Sequence, residues 1–225
     1  ALALIAWSAR LQRASSRPHP GAQLLAAASG AVMAFGIFYT MAFLPVGLMA
    51  GMTIALTLAI GWRMRVLLIL ATSVGFLAPI LCGCAAAGAN PFVIGMWNLH
   101  HHARFYDEYP RTYHLWLLAN PVELAVAIGL PSAVWCLIGV SSPRQVPISF
   151  WVTLSVLALV HWTGRNMGEV ARLWMLFMPP LLTAAAAAFE RLAPGRAPVA
   201  LGGSIALLGL QTLCLQTIIQ VVYPV

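Results

Sequence analysis

Between Leu24 and Trp62 the chain runs for 39 residues without a charged side chain. As one helix this run would be about 58 Å long, nearly twice the roughly 30 Å hydrocarbon layer of a bilayer. Pro45 and Gly47 lie near its middle, so the run reads as two spans joined by a tight turn. A single long span would also put Arg63 and Arg65 opposite Arg10, Arg13 and Arg17. That would break the bias of arginines toward the cytoplasmic side. The whole chain is of the same character, 61% hydrophobic with a mean hydropathy of +0.89. A soluble domain of 225 residues has no use for so much apolar surface.

The expected fold is therefore all-α, a polytopic transmembrane helix bundle. The spans read as about 24–43, 47–61, 66–84, 120–140, 147–163, 172–190 and 199–222. That is about seven full spans. Residues 1–9 read as the end of a further, partial span, with neither the basic start nor the cleavage site of a signal peptide. The chain is thus expected to be one transmembrane domain over 1–225, the C-terminal part of a longer protein. Residues 85–119 form the longest connection, an external loop too rich in Trp, Tyr, Phe and His for disorder, with an interfacial helix expected inside it.

The charges are few and sorted. The chain has 12 arginines, no lysine and five acids. Its net charge of +7 does not point to nucleic acid, because the arginines sit at the ends of apolar runs, as topology signals do. In this layout eight arginines face the cytoplasm. Arg104, Arg111, Arg165 and Arg172 share the outer side with Asp107, Glu108, Glu123, Glu169 and five of the six histidines. Charge beside hydrocarbon is costly, so its concentration near 100–123 and 164–172 marks the candidate working surface. The four cysteines show no metal spacing and read as small core hydrophobes.

Three constellations lie on that surface. In the first, Tyr106, Tyr109, Tyr113 and Trp116 recur at helical spacing beside Arg104, Asp107, Glu108 and Arg111. The plain reading is an interfacial helix closing the outer face. The sharper one is a substrate site: arginines hold a phosphate bidentately, a carboxylate takes a proton, and aromatic faces contact sugar or lipid. The adjacent His100, His101 and His102 raise a divalent metal ion as a cofactor. Side chains 100° apart on a helix cannot all face one ion, so metal ligation is the lesser reading. In the second, Asn120, Pro121 and Glu123 fit a capping box that starts the span 120–140. In the third, Glu169 and Arg172 are spaced to pair on a helix, while Arg165 and Arg172 are candidates for an anionic group. The spacings Gly47xxxGly51 and Gly164xxxGly168 and the alanines 184–188 read as helix-packing features. Rossmann, P-loop and nucleophile-elbow patterns do not occur.

The stretch from Glu169 to Pro179 resembles a late segment of polytopic bacterial proteins related to the GT-C glycosyltransferases, in which Gly-Glu-x-x-Arg-x-Trp leads into a span ending near proline. Tyr109 to Trp116, followed by Asn120 to Glu123, is similar to a Pro-Arg-x-Tyr…Trp…Asn-Pro pattern in the same group. The two blocks cover about 40 residues of 225. The resemblance implies a multi-pass enzyme of the bacterial inner membrane that takes a sugar from a polyprenyl-phosphate carrier at the outer face. Asp107 or Glu108 would then act on the acceptor, and Arg104, Arg111, Arg165 and Arg172 would bind the phosphate. Tyr106, Tyr109, Tyr113 and Trp116 would contact sugar or lipid, with Glu123 and Glu169 beside them. The signature acid of that group lies in a first external loop, a part with no counterpart here. The competing expectations are a transporter or flippase of an anionic lipid or solute, and a non-catalytic assembly subunit.

Overall fold

A computed structural model describes residues 1–15, 17–41, 43–108, 110–164, 174–193 and 195–218, without the side chains of 102 and 105–108. Among the described residues there is no strand. The helices are α1 (Leu2–Arg13), α2 (Pro20–Ile37), α3 (Phe43–Leu56), α4 (Trp62–Ala86), α5 (Pro91–Glu108), α6 (Tyr113–Ile128), α7 (Leu130–Val140), α8 (Ile148–Trp162), α9 (Met178–Phe189) and α10 (Ala197–Ile218). A 3₁₀ turn, Met175–Phe177, leads into α9. Three helices, α2, α4 and α10, are long and apolar enough to cross a membrane alone. The pair α6 and α7 makes a fourth if its two halves count as one span. The expected seven full spans are therefore not found. The 14 residues of α3 rise about 21 Å and the 15 of α8 about 22 Å, both short of the hydrocarbon thickness.

The first break falls elsewhere than expected. The chain turns between Ile37 and Phe43, and Pro45 sits in the first turn of α3. Proline is tolerated there because the first amides of a helix have no intrahelical acceptor. The Phe43 ring folds back onto Gly36, where a β-carbon would lie 2.5 Å from it.

The apolar interior has two centres. One gathers Ile5 and Ala9 of α1, Ala22, Ala26 and Met33 of α2, Val46, Ala50 and Ile54 of α3, and Leu68 of α4. The other gathers Phe150, Val152, Val156 and Leu157 of α8, Leu181, Ala184 and Ala187 of α9, Trp174 and Phe177. Short α3 joins them. Its residues 46, 50 and 54 recur every fourth position on one face, and Met49 enters the second cluster from another. By contrast α10 buries no residue, and Leu70 and Val74 of α4 are exposed, as lipid-facing side chains are.

Two helix crossings bring backbone against backbone. A β-carbon on Gly30 of α2 would lie 2.1 Å from the Thr72 carbonyl oxygen of α4. One on Gly75 would lie 2.0 Å from the Ala27 carbonyl oxygen. Further along, Phe38 approaches Gly83, so α2 and α4 run parallel. The second crossing sets Gly139 of α7 against Ala184 of α9, 1.9 Å from a hypothetical β-carbon to the carbonyl oxygen. The alanine run thus packs as its spacing suggests, with Ala184, Ala185, Ala187 and Ala188 buried. Gly47 and Gly51 do not: nothing lies within 4 Å of a β-carbon on either.

The expected single span 120–140 is instead an elbow. α6 and α7 meet at 105° around Gly129, whose φ of +95° excludes most other residues. Breaking a helix strands backbone groups, and lipid has no water to satisfy them. Gln211 of α10 supplies both partners: Leu130 N donates to its Oε1 at 2.8 Å, and its Nε2 donates to Val126 O at 2.8 Å. In sequence, Gly129 followed by Pro131 marks the break.

Two stability predictions follow the crossings and the elbow. Gly75→Leu should destabilise the protein in detergent by about 1–3 kcal/mol, because the Ala27 carbonyl has nowhere to go. Gly47→Ala should be neutral or stabilise by up to about 1 kcal/mol, because it meets open space and removes glycine freedom. Equal melting points for the two variants would contradict the crossing. Gln211→Leu should cost about 1–3 kcal/mol by stranding the Leu130 amide and removing one of the two donors to Val126 O, whereas Gln216→Leu, at an exposed position, should cost little.

Candidate functional site

The connector that follows α4 contains a helix with a well-made start. Asn90 Oδ1 accepts from the amides of Phe92 (2.9 Å) and Val93 (3.4 Å), and Pro91 occupies the first helical position. This is the Asn-Pro cap expected at Asn120-Pro121, found at the other Asn-Pro pair. From there α5 runs to Glu108 with no described side chain buried; Phe92, Met96 and Trp97 are exposed. His100, His101 and Arg104 are exposed on it as well. The stretch 85–119 is thus mostly helical, since α4 runs to Ala86 and α6 begins at Tyr113.

After α5 the chain docks on the bundle. The Arg111 guanidinium lies 5.2 Å from the Trp116 ring centroid, a cation–π contact. The Tyr113 hydroxyl donates to the Trp162 carbonyl at 2.7 Å. That carbonyl is one of the last four of α8, which have no partner inside the helix. Gly164, with φ +64°, ends α8 by donating its amide to His161 O at 3.2 Å. A β-carbon there would lie 2.8 Å from the Tyr113 ring, so glycine also makes room for it. Gly164 is therefore a helix terminator, and Gly168 lies outside the described residues.

One turn deeper sits a polar joint. Pro121 lies inside α6 and has no N–H to donate to the carbonyl of residue 117. His161 of α8 takes that place, its Nε2 3.1 Å from Leu117 O. A carbonyl only accepts, so Nε2 carries the proton and Nδ1 is free to accept from Asn120 Nδ2 at 3.4 Å. Asn120 is 2% exposed. It is not a cap but a mid-helix residue that orients a histidine. The Trp174 ring meets His161 edge-on at 5.6 Å.

The expected site residues are only partly gathered. Arg111, Tyr113 and Trp116 come together at the junction of α6 with α8. Glu123 does not join them: it lies ten residues beyond Tyr113, about 15 Å along the helix. There it lines an open cleft of about 440 Å³ with Gly129, Gln211 and Thr212. The side chains of Tyr106, Asp107 and Glu108, and all of Tyr109, Arg165, Glu169 and Arg172, lie outside the described residues. Among the described residues no three His, Cys, Asp or Glu side chains group as metal ligands. His161, Asn120 and Gln211 were not among the expected site residues. Their signal was a proline or glycine inside an apolar run, each needing an outside partner. No family model, curated protein or solved structure matches the chain.

The joint is testable by stability. Asn120→Leu should destabilise by about 1–3 kcal/mol by leaving a half-buried His161 ring nitrogen without this partner. Pro121→Ala, which restores the amide donor to Leu117 O, should make His161→Ala less costly than it is in the native background. Additive effects of the two substitutions in a double-mutant cycle would show that the carbonyl is not shared in this way.

Proposed function

We propose that the chain is part of a membrane glycosyltransferase, similar to the GT-C enzymes, which passes a sugar from a polyprenyl-phosphate carrier to an acceptor at the outer face of a bacterial inner membrane. One observation carries the reading. Tyr113 ties the start of α6 to the end of α8. Tyr113 stands two positions after Arg111, and Gly164 directly precedes Arg165. The described residues that border the two segments, Tyr113 and Gly164, are therefore in contact. In this reading Asp107 or Glu108 takes the acceptor proton. Arg104, Arg111, Arg165 and Arg172 steady the departing phosphate. Trp116 and the tyrosines supply apolar faces for sugar or isoprenoid. A divalent ion would be held by the carboxylates of Asp107 and Glu108 and would offset charge on the phosphate.

A transporter is the second reading, favoured by the elbow at Gly129. Discontinuous helices with a carboxylate beside the break are a common way to build a site for a coupling cation. The two readings part in one experiment. The full-length protein is reconstituted with a labelled polyprenyl-phosphate sugar, and transfer and passage across the vesicle are both followed. Under the enzyme reading Asp107→Asn should cut transfer by roughly 100-fold or more. Arg111→Lys should cut it by roughly tenfold, because lysine keeps the charge but loses the planar fork. Full transfer in both variants would refute these roles. Passage of the substrate without transfer, abolished by Glu123→Gln, would establish the transporter instead.

A further inference from the structure

The ends of α1 and α3 and the start of α4 carry a second feature. No acid occurs in the first 106 residues, yet Arg10, Arg13, Arg17, Arg63 and Arg65 all do. The parallel crossing of α2 on α4 brings two of these arginines, fifty positions apart in sequence, to one place. Arg13 and Arg63 line an open cleft of about 500 Å³ with Gln12, Ser15, Gly61 and Trp62. That volume lies within the usual range of small-molecule sites, about 300–1,000 Å³.

The wall of the cleft is built. Gln12 is 3% exposed, and its side chain fastens the following loop at three points. Its Nε2 donates to Ser15 O at 3.3 Å and Arg17 O at 2.9 Å, while its Oε1 accepts from His19 N at 3.1 Å.

The charges in the cleft are unbalanced. Arg13 stands in the last turn of α1, where a cation suits the helix dipole. Arg65 reaches back to Ala55 O near the end of α3, at 2.5 Å. Among the described residues Arg63 meets only the Trp62 ring, 5.7 Å from its guanidinium to the centroid, a contact that leaves its N–H donors for an anion. It lies in the first turn of α4, at the positive end of a 25-residue helix with no acid in that turn and no side-chain cap. Among the described residues neither Arg13 nor Arg63 meets a carboxylate. Topology alone explains arginine at this end, but it does not require two of them to converge on a cleft at an uncapped helix start.

We propose that this cleft binds the phosphodiester of an anionic membrane lipid. The two guanidinium groups and the first amides of α4 would donate to the phosphate oxygens. The mouth of the cleft favours a lipid over a free anion: Trp62 is 65% exposed beside it and Leu58 is 81% exposed, a headgroup-level aromatic next to apolar surface. The site is distinct from that of Arg111, Tyr113 and Trp116, none of which lines this cleft.

The test uses the full chain in nanodiscs of phosphatidylcholine, with and without phosphatidylglycerol, read by thermal midpoint and by lipid retained in native mass spectrometry. Phosphatidylglycerol should raise the midpoint of the native protein. The pair Arg13→Gln and Arg63→Gln should lower phosphatidylglycerol affinity by roughly ten- to thirty-fold, the loss of charge-assisted hydrogen bonds to the phosphate. The pair Arg144→Gln and Arg196→Gln removes as many charges from exposed positions outside the cleft and should leave affinity unchanged. If the first pair folds poorly, Arg63→Lys alone should still weaken lipid retention, with the control pair unaffected. Equal losses in both pairs would overturn the proposal in favour of non-specific charge. A midpoint rise of the same size from inorganic phosphate without phosphatidylglycerol would overturn the lipid assignment.

Discussion

The backbones of α2 and α4 meet with no side chain between them, and much of the structure follows from that contact. In lipid the hydrophobic effect does not press helices together, so close backbone approach and the dispersion it permits must do so. Gly30 and Gly75 allow it, each occupying space that a β-carbon would take from the other helix's carbonyl. The contact fixes the axial register of the pair. Register in turn sets the first turn of α4 beside the end of α1 and forms the basic cleft. α3, too short to span, is held against this pair by Val46, Ala50 and Ile54 and carries the second core through Met49.

The second governing constraint is that each backbone group needs a partner where water is scarce. Among the described residues, two places that fail to supply their own are met from afar. Pro121 withholds an amide from Leu117 O, and the turn at Gly129 leaves the Leu130 amide without a partner in its own helix. In each case a polar side chain from a distant helix fills the need, His161 from α8 and Gln211 from α10. These side chains therefore bind helices together as well as completing them. α10 shows the consequence: it buries no residue, yet Gln211 and the Trp135–Ser204 hydrogen bond, at 2.8 Å, fasten it to α6 and α7. An apolar helix in lipid needs few contacts to be fixed if those contacts are hydrogen bonds.

Sequence carried the class of the fold and much of its polarity. The uncharged run from Leu24 demanded a return, and the arginine bias required Arg63 to come back beside Arg13; the cleft they share agrees with that. Composition could not count spans, because it registers where charge is missing and not where a helix stops. α8 matched its expected limits closely because Pro147 and Gly164 punctuate it at both ends. The elbow was missed because Gly129 and Pro131 sit among strongly apolar neighbours that read as one continuous span. The cap logic at Asn120 failed for a different reason. Asn-Pro is a local signal that fits either a helix start or a helix interior backed by a partner, and the partner is 41 residues away in His161. At the outer site the order of the chain suggested which segments might meet. Only the structure shows the hydroxyl of Tyr113 reaching Trp162.

The distribution of charge bears on both proposals. Four of the five acids fall between residues 107 and 169, with Glu190 beyond them, and the first 106 residues hold none. A polar reaction on a lipid-linked substrate needs carboxylates and guanidinium groups at one surface, where each tempers the other's desolvation. A surface that only holds anionic headgroups is better served by arginine alone, since a nearby acid would compete for it. Under the two proposals, the cleft of Arg13 and Arg63, whose lining holds no acid, and the mixed segment 100–123 would meet these opposite requirements.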